Sequence, residues 1–446
     1  MAYTEFVRRG IILLVTAACA GADRTPEQTL ASLRELVHSE AAHIPNYTCV
    51  QTISRRFYSL ADKIPQSCAD LSSARRKPRL FLANTDRFRL DVRAGPDEEM
   101  YSWVGAVPFG DHPLHELIDS GPISTGAFGA ALLGLFADAP EFHYTGEKVV
   151  KGRRLREFSF HVPELKSHHD FLQFDNSQVA VAYEGTILAD PQTGMPVQVT
   201  LTAGKLPGAT YACGFTATLD YRPVRIGNGD FLLPIEARQR FAMVGGAEVE
   251  NTVTFSSCRE YGAESSIAYA PAAPASNPAA ATPAPRPWGN VPEGTSVTVL
   301  LTSRIDSALS AAGDPFTGKL ANSLLDDAGN TIVPKGALVR GRITRLGQRF
   351  LIPTQGGPIP GAQPRPSTGI ELQAESISVD GHEMPAHLVG KRDLVAYRAL
   401  SSRLASYGTP IAEFPERLRV GYATLQCVGT CAFPAGSKTE WVTVGR

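Results

Sequence analysis

Three side chains early in the chain have the spacing that could hold a metal. His112, His115 and Asp119 stand at i, i+3 and i+7, so a continuous helix would bring all three to one face, as ligands of a single ion require. His115-Glu116-x-x-Asp119 differs in one residue type from the H-E-x-x-H of zinc hydrolases, and a metal-dependent hydrolase using His112, His115 and Asp119 is therefore one reading of the chain. Against it stand Pro113, which puts His112 at the helix cap, and the lack of any further ligand signalled nearby. His168-His169-Asp170 lies in a polar loop between strands and could bind a metal only weakly, since adjacent histidines on a loop more often face water. Gly313-Asp-Pro-Phe-Thr-Gly318-Lys319 has the glycine and lysine spacing of a phosphate loop. Leu320 replaces the magnesium-binding hydroxyl and Pro315 removes an N–H donor, so a polar loop is expected there instead.

No G-x-S-x-G elbow, complete metalloprotease motif or dinucleotide glycine fingerprint is present. The leading reading is thus a non-enzymatic binding or scaffold protein without a cofactor; the metal-dependent hydrolase and a structural or assembly module of an envelope complex are the alternatives. Lys and Arg number 43 against 44 Asp and Glu, which gives no electrostatic reason to seek nucleic acid or an anionic bilayer.

The N-terminus reads as an export signal over residues 1–22. Arg8 and Arg9 precede the apolar run Ile11 to Ala18, far shorter than the ~20 residues a spanning helix needs. Cleavage after Ala20 or Ala22 fits the small residues there, while lipidation of Cys19 would give a lipid-anchored form. An exported protein, periplasmic or in the outer envelope, follows, with a lipid or an envelope protein as the expected partner. Beyond Cys19 lie Cys49, Cys68, Cys213, Cys258, Cys427 and Cys431, an even set that reads as disulfides. Their order suggests Cys49 with Cys68, Cys213 with Cys258 and Cys427 with Cys431, with buried free thiols as the other reading.

The elements around these residues are mainly strands. Thr25, Pro26 and Gln28 start a helix whose Leu30, Leu33, Leu36 and Val37 share a face. Phe88, Leu90 and Val92 alternate with charged residues; Phe158, Phe160 and Val162, then Val197, Val199 and Leu201, then Phe215, Ala217, Leu219 and Tyr221 repeat the pattern of a sheet with one wet face. Asp190-Pro-Gln-Thr-Gly194 and Asn228-Gly229 supply turns. Ala127 to Ala137 reads as a helix apolar all round, one that should be covered on every side.

Residues 23–262, and above all Thr186 to Leu201 with its strand, Asp-Pro-x-Thr-Gly-x-Pro turn and returning strand, resemble the LolA, LolB and RseB group of envelope proteins. The resemblance implies an α+β domain, a curved antiparallel sheet wrapping helices as a half-barrel around an apolar cavity, lined by Trp103, Phe128, Leu132, Leu135 and Phe136. Core filling by the same residues is the alternative.

In residues 291–446 a corner recurs: Val291-Pro-Glu-Gly294, Val333-Pro-Lys-Gly336 and Phe433-Pro-Ala-Gly436. Pro sets the turn and Gly reverses the chain into the next strand, so a small β-barrel or sandwich is expected, with a further hairpin tip at Asp380-Gly381. With the strand after the Lys-Gly corner, these residues resemble the barrel domain of the TrbI and VirB family of conjugation and type IV secretion channels. Residues 391–407 read as a helix. Between the halves, residues 263–290 are rich in Ala and Pro, and Pro271 to Pro287 could span up to roughly 50 Å at about 3.1 Å per residue, so few contacts between the halves are expected.

Overall fold

The structure is a computed structural model that describes residues 24–43, 45–60, 67–73, 79–94, 99–110, 112–118, 121–128, 130–173, 177–261, 291–350, 366–390 and 423–444. The expected export signal with Cys19, the Ala/Pro-rich tether and the helix of residues 391–407 lie outside these.

The N-terminal part contains α1 (Pro26–His43), β1 (Tyr47–Leu60), α2 (Cys68–Ser73), β2 (Leu80–Ala94), β3 (Glu99–Trp103), α3 (Leu114–Leu117), α4 (Ala130–Ala137), β4 (Glu141–Val150), β5 (Arg153–Val162), β6 (Asp170–Leu172), β7 (Gln178–Ala180), β8 (Tyr183–Ala189), β9 (Pro196–Ala203), β10 (Ala212–Ile226), β11 (Gly229–Met243) and β12 (Glu248–Glu260). Ten strands form one antiparallel sheet in the order β4-β5-β8-β9-β10-β11-β12-β1-β2-β3. The expected alternation holds: Phe158, Phe160, Phe215, Ala217, Leu219, Phe88, Leu90 and Val92 are all buried in one core. α1 begins with the reciprocal cap expected, Gln28 N–H donating to Thr25 Oγ1 at 3.3 Å and Thr25 N–H to Gln28 Oε1 at 2.9 Å, and it buries Thr29, Leu33 and Val37. The Asp190 turn packs beneath it. Asp190 Oδ1 accepts the N–H groups of Gln192 and Thr193 at 3.0 Å, and Gly194 has φ +78°. A side chain at Gly194 would lie 2.7 Å from Ser32 Cβ. The β10–β11 hairpin closes one residue earlier than expected, at Gly227 (φ +54°) and Asn228.

The C-terminal part contains β13 (Ser296–Leu301), β14 (Ile305–Asp306), β15 (Pro315–Leu320), β16 (Leu324–Leu325), β17 (Thr331–Val333), β18 (Leu338–Phe350), β19 (Pro366–Val379), β20 (His382–Pro385), β21 (Leu388–Gly390), β22 (Ala423–Val428), β23 (Ala432–Phe433) and β24 (Lys438–Thr443). Seven of these run antiparallel in the order β21-β24-β13-β15-β18-β19-β22 around a second core centred on Trp441 and Phe316, without a described ladder closing β21 onto β22. All three Pro-x-Gly corners share one geometry. Gly294, Gly336 and Gly436 have φ of +79°, +84° and +90°, and their N–H groups donate to the carbonyls of Thr443, Leu320 and Leu301. Each corner therefore turns the chain and ties it to a neighbouring strand. The Asp380-Gly381 tip joins β19 to β20 as expected.

Three expectations are corrected. First, the disulfides are Cys49–Cys258, Cys68–Cys213 and Cys427–Cys431, so the first two pairings proposed from chain order are exchanged. The reason is sheet order: β1 lies beside β12, which puts Cys49 next to a residue 209 positions away. Second, Pro315–Leu320 of the phosphate-loop look-alike is strand β15. Third, the halves are not held apart. Gly347, Gln348 and Arg349 of β18 pair with Asp86, Thr85 and Asn84 of β2, and the loop after β14 completes the seam. There Arg89 N–H donates to Ala312 O at 2.7 Å, Ala312 N–H to Arg87 O at 2.9 Å, and Arg89 forms a two-oxygen ion pair with Asp314 at 2.5 and 2.6 Å. Arg342 Nη1 donates to Val104 O at 2.8 Å and to Gly313 O at 2.6 Å. Arg87 and Arg89 of β2 are thus taken up by the second half, Arg87 through the carbonyls of Ala308 and Ser310, while Arg93 stays in the first, over the Phe109 and Tyr261 rings.

Candidate functional site

The interior of the N-terminal sheet is where the structure departs most from a plain core. Cross-strand register places Gln239, Asn251, Arg55 and Asp86 side by side on β11, β12, β1 and β2, so a single polar row crosses the apolar face. Their exposures are 3, 1, 0 and 5%. Arg55 donates from Nε to Asp86 Oδ1 at 2.8 Å and from Nη2 to Oδ2 at 2.5 Å, and its guanidinium lies 5.1 and 4.9 Å from the ring centres of Phe57 and Phe88. This pairing leaves the row without net charge. Asn251 Nδ2 donates to Pro122 O at 3.0 Å and, at 3.5 Å, to Gln239 Oε1. Asn251 Oδ1 has no hydrogen-bond partner, and neither has Gln51 Oε1, four residues from Arg55 on the same face of β1. A buried acceptor left so costs about 1–3 kcal/mol, and a native protein keeps one for a reason.

Residues 121–128 cross this row and are strapped down by side chains of the sheet. Glu99 on β3 accepts the N–H groups of Gly126 at 2.8 Å and Phe128 at 2.9 Å, as well as the Tyr101 hydroxyl. Gly121 sits at φ +75°, so close that a side chain there would lie 2.8 Å from the Phe57 ring. Burial, and then the Glu99 charge, push the hydroxyls of Tyr47, Tyr101 and Tyr221 above the usual tyrosine range, so all three stay neutral.

Of the residues expected to line a cavity, Phe128, Leu132 and Leu135 are buried in the common core, with Phe128 packed on Tyr47 at 4.8 Å and Phe255 at 5.3 Å between ring centres. Phe136 is half-buried and stacks on Phe142 at 5.4 Å. Trp103, on edge strand β3, packs partly buried against the same core, and a Cβ at Gly313 of the seam would be 3.0 Å from its ring. The helix starts at Ala130, so Phe128 precedes it, and Leu133 is 42% exposed. Cover on every side was expected; α4 lies instead at the margin of the core, with one face open.

α4 is fastened at its far end by Asp138, a nearly buried carboxylate that accepts the Tyr183 hydroxyl at 2.6 Å, the His168 N–H at 3.2 Å and the His168 Nδ1. Asp138 holds the His168 ring above the usual histidine range through that hydrogen bond and its charge. His169 is pushed down by burial among Tyr183, Phe171 and Phe215. The loop histidines are therefore engaged, not simply solvated. The only sequence hint of the strap was an Asp directly after an apolar run.

The other candidate site residues do not converge. α3 spans only Leu114–Leu117, too short to align His112 with Asp119; His112 bridges back to Tyr101, His115 is exposed, and Asp119 lies outside the described residues. Among the described residues no group of three His, Cys, Asp or Glu side chains could hold a metal, and no helix is long and apolar enough to cross a membrane.

No protein-family model matches the sequence, and no curated protein matches it either. Solved structures align over about half of it. A LolA superfamily protein from Nitrosomonas europaea covers 53% of this chain and 93% of its own at 8% identity and a TM-score of 0.25. A DUF1329 family protein from Desulfovibrio piger covers 53% and 95% at 10% identity and 0.24. The Mycobacterium tuberculosis lipoprotein LppX covers 52% and 95% at 10% identity and 0.19. Scores this low add nothing to the fold as read from strand order and register.

Proposed function

We propose that the chain is a non-enzymatic envelope protein in two units, residues 23–262 and 291–446, and that the first unit binds a lipid or acyl chain between its curved sheet and the segment 121–137. The observation that carries this reading is the way the core is covered. Beside α1 and α3, the largely apolar face is closed by one short helix and one loop, held among the described residues by Glu99 and Asn251 on the loop and Asp138 beyond the helix. Such a cover can lift without unzipping the sheet. Export through residues 1–22, with or without a lipid on Cys19, places the protein where such ligands occur. The second unit, with its resemblance to the TrbI and VirB barrel, serves in this reading as a buttress on β2 and a surface for envelope partners. Native mass spectrometry of the exported full chain tests the proposal. Co-purifying lipid, or uptake of a fluorescent acyl probe by the delipidated protein, is expected; a lipid-free protein that takes up no probe overturns it.

A further inference from the structure

The polar row has chemistry of its own. Its one cation is neutralised: Arg55 is held by both oxygens of Asp86, so an anionic head group would meet a carboxylate and no available positive charge. What the row offers is the Asn251 amide. Its orientation is determined by its neighbours, because turning it over would point Oδ1 at Pro122 O and Gln239 Oε1, two acceptors. Nδ2 therefore donates, and Oδ1, buried and unpartnered, waits for a donor. The group that meets Nδ2 is a backbone carbonyl of the covering loop, and the loop brings no N–H to Oδ1.

We infer that Asn251 is a polar subsite for an uncharged amide on an acyl ligand, with the Pro122 carbonyl standing in for that ligand while the loop is closed. This rests on the proposed lipid-binding function and narrows it. A primary amide carries a carbonyl to replace Pro122 O on Nδ2 and, syn to it, an N–H to satisfy Oδ1, so it completes both halves of the asparagine at once; a trans secondary amide points its N–H away from its carbonyl and cannot. An ester has no donor and leaves Oδ1 unpaired. A free carboxylate has no donor either. The subsite thus selects a primary fatty amide over the ester or free acid of equal length, and its occupation frees Pro122, coupling ligand entry to release of the 121–128 loop.

The test compares dodecanamide, methyl dodecanoate and dodecanoate as competitors of a fluorescent acyl probe on the delipidated full chain. The amide is expected to bind at least about tenfold more tightly than the ester, the worth of one satisfied buried hydrogen bond. Asn251→Leu should bring that ratio close to one. In the wild-type protein, the infrared band of a carbonyl-labelled amide should shift down on binding, a readout that stands even if Asn251→Leu fails to fold. Equal binding of the three ligands with no band shift overturns this inference and leaves the broader function standing. Binding of none overturns both.

Discussion

Among the described residues, no buried polar side chain of the C-terminal core keeps a buried atom unpaired; in the N-terminal part four side chains do. Arg342, Thr368, Thr439 and Thr443 each have a partner, and Trp441 donates its Nε1 to Thr439 at 2.8 Å. Gln51, Asp91, Arg156 and Asn251, all in the N-terminal part, keep an atom without one. The first pattern is that of a core built to stay packed; in the second, the covering segment meets one half of the Asn251 amide and leaves the other. The seam on β2 joins the two halves.

The sharpest way to break this contrast is at Asp86. Asp86→Ala leaves Arg55 charged and buried with its main acceptor gone, and should cost about 3–5 kcal/mol in denaturant unfolding, whereas the double change of Arg55 and Asp86 to Met and Leu should regain most of it. If the single change costs under ~1 kcal/mol, the row is not the organised feature described. Next comes the seam. Gly313 has φ +104° and a Cβ there would lie 2.0 Å from Arg89 O, so Gly313→Ala should weaken docking by on the order of 1–3 kcal/mol and split a single calorimetric unfolding transition in two. One unchanged transition would argue that the halves do not depend on that contact. The smallest effect is expected at the α4 strap. The His168 pKa is raised in the folded state by Asp138, so its contribution is complete at pH below the ordinary histidine value and is lost as pH rises through the raised one. Hydrogen exchange in residues 164–169 should quicken on going from acidic to alkaline pH beyond its intrinsic pH dependence, and His168→Gln should abolish that excess.

Much of the local structure was legible in the sequence. The reciprocal cap of α1, the Asp190 turn, the three Pro-x-Gly corners and the alternation of Phe88, Leu90 and Val92 all follow from short-range rules, since each depends on residues within a few positions. The metal reading of His112, His115 and Asp119 relied on one continuous helix, and Ile118 turns extended directly after Leu117. The polar row left no trace in the sequence. Gln239 and Asn251 are 12 residues apart, and Arg55 lies almost 200 residues before them, so only strand order could align them.

By itself, then, the sequence determined the class of the fold, a disulfide-bearing chain of antiparallel strands with two cores, because capping, alternation and turn chemistry are encoded in neighbouring residues. The tertiary structure alone decided which cysteines pair, that Arg87 and Arg89 of β2 serve as a dock and not as a wet face, and that four polar side chains meet inside an apolar sheet. These depend on which strands lie side by side, and that is settled by the packing of the whole chain, not by any stretch of it.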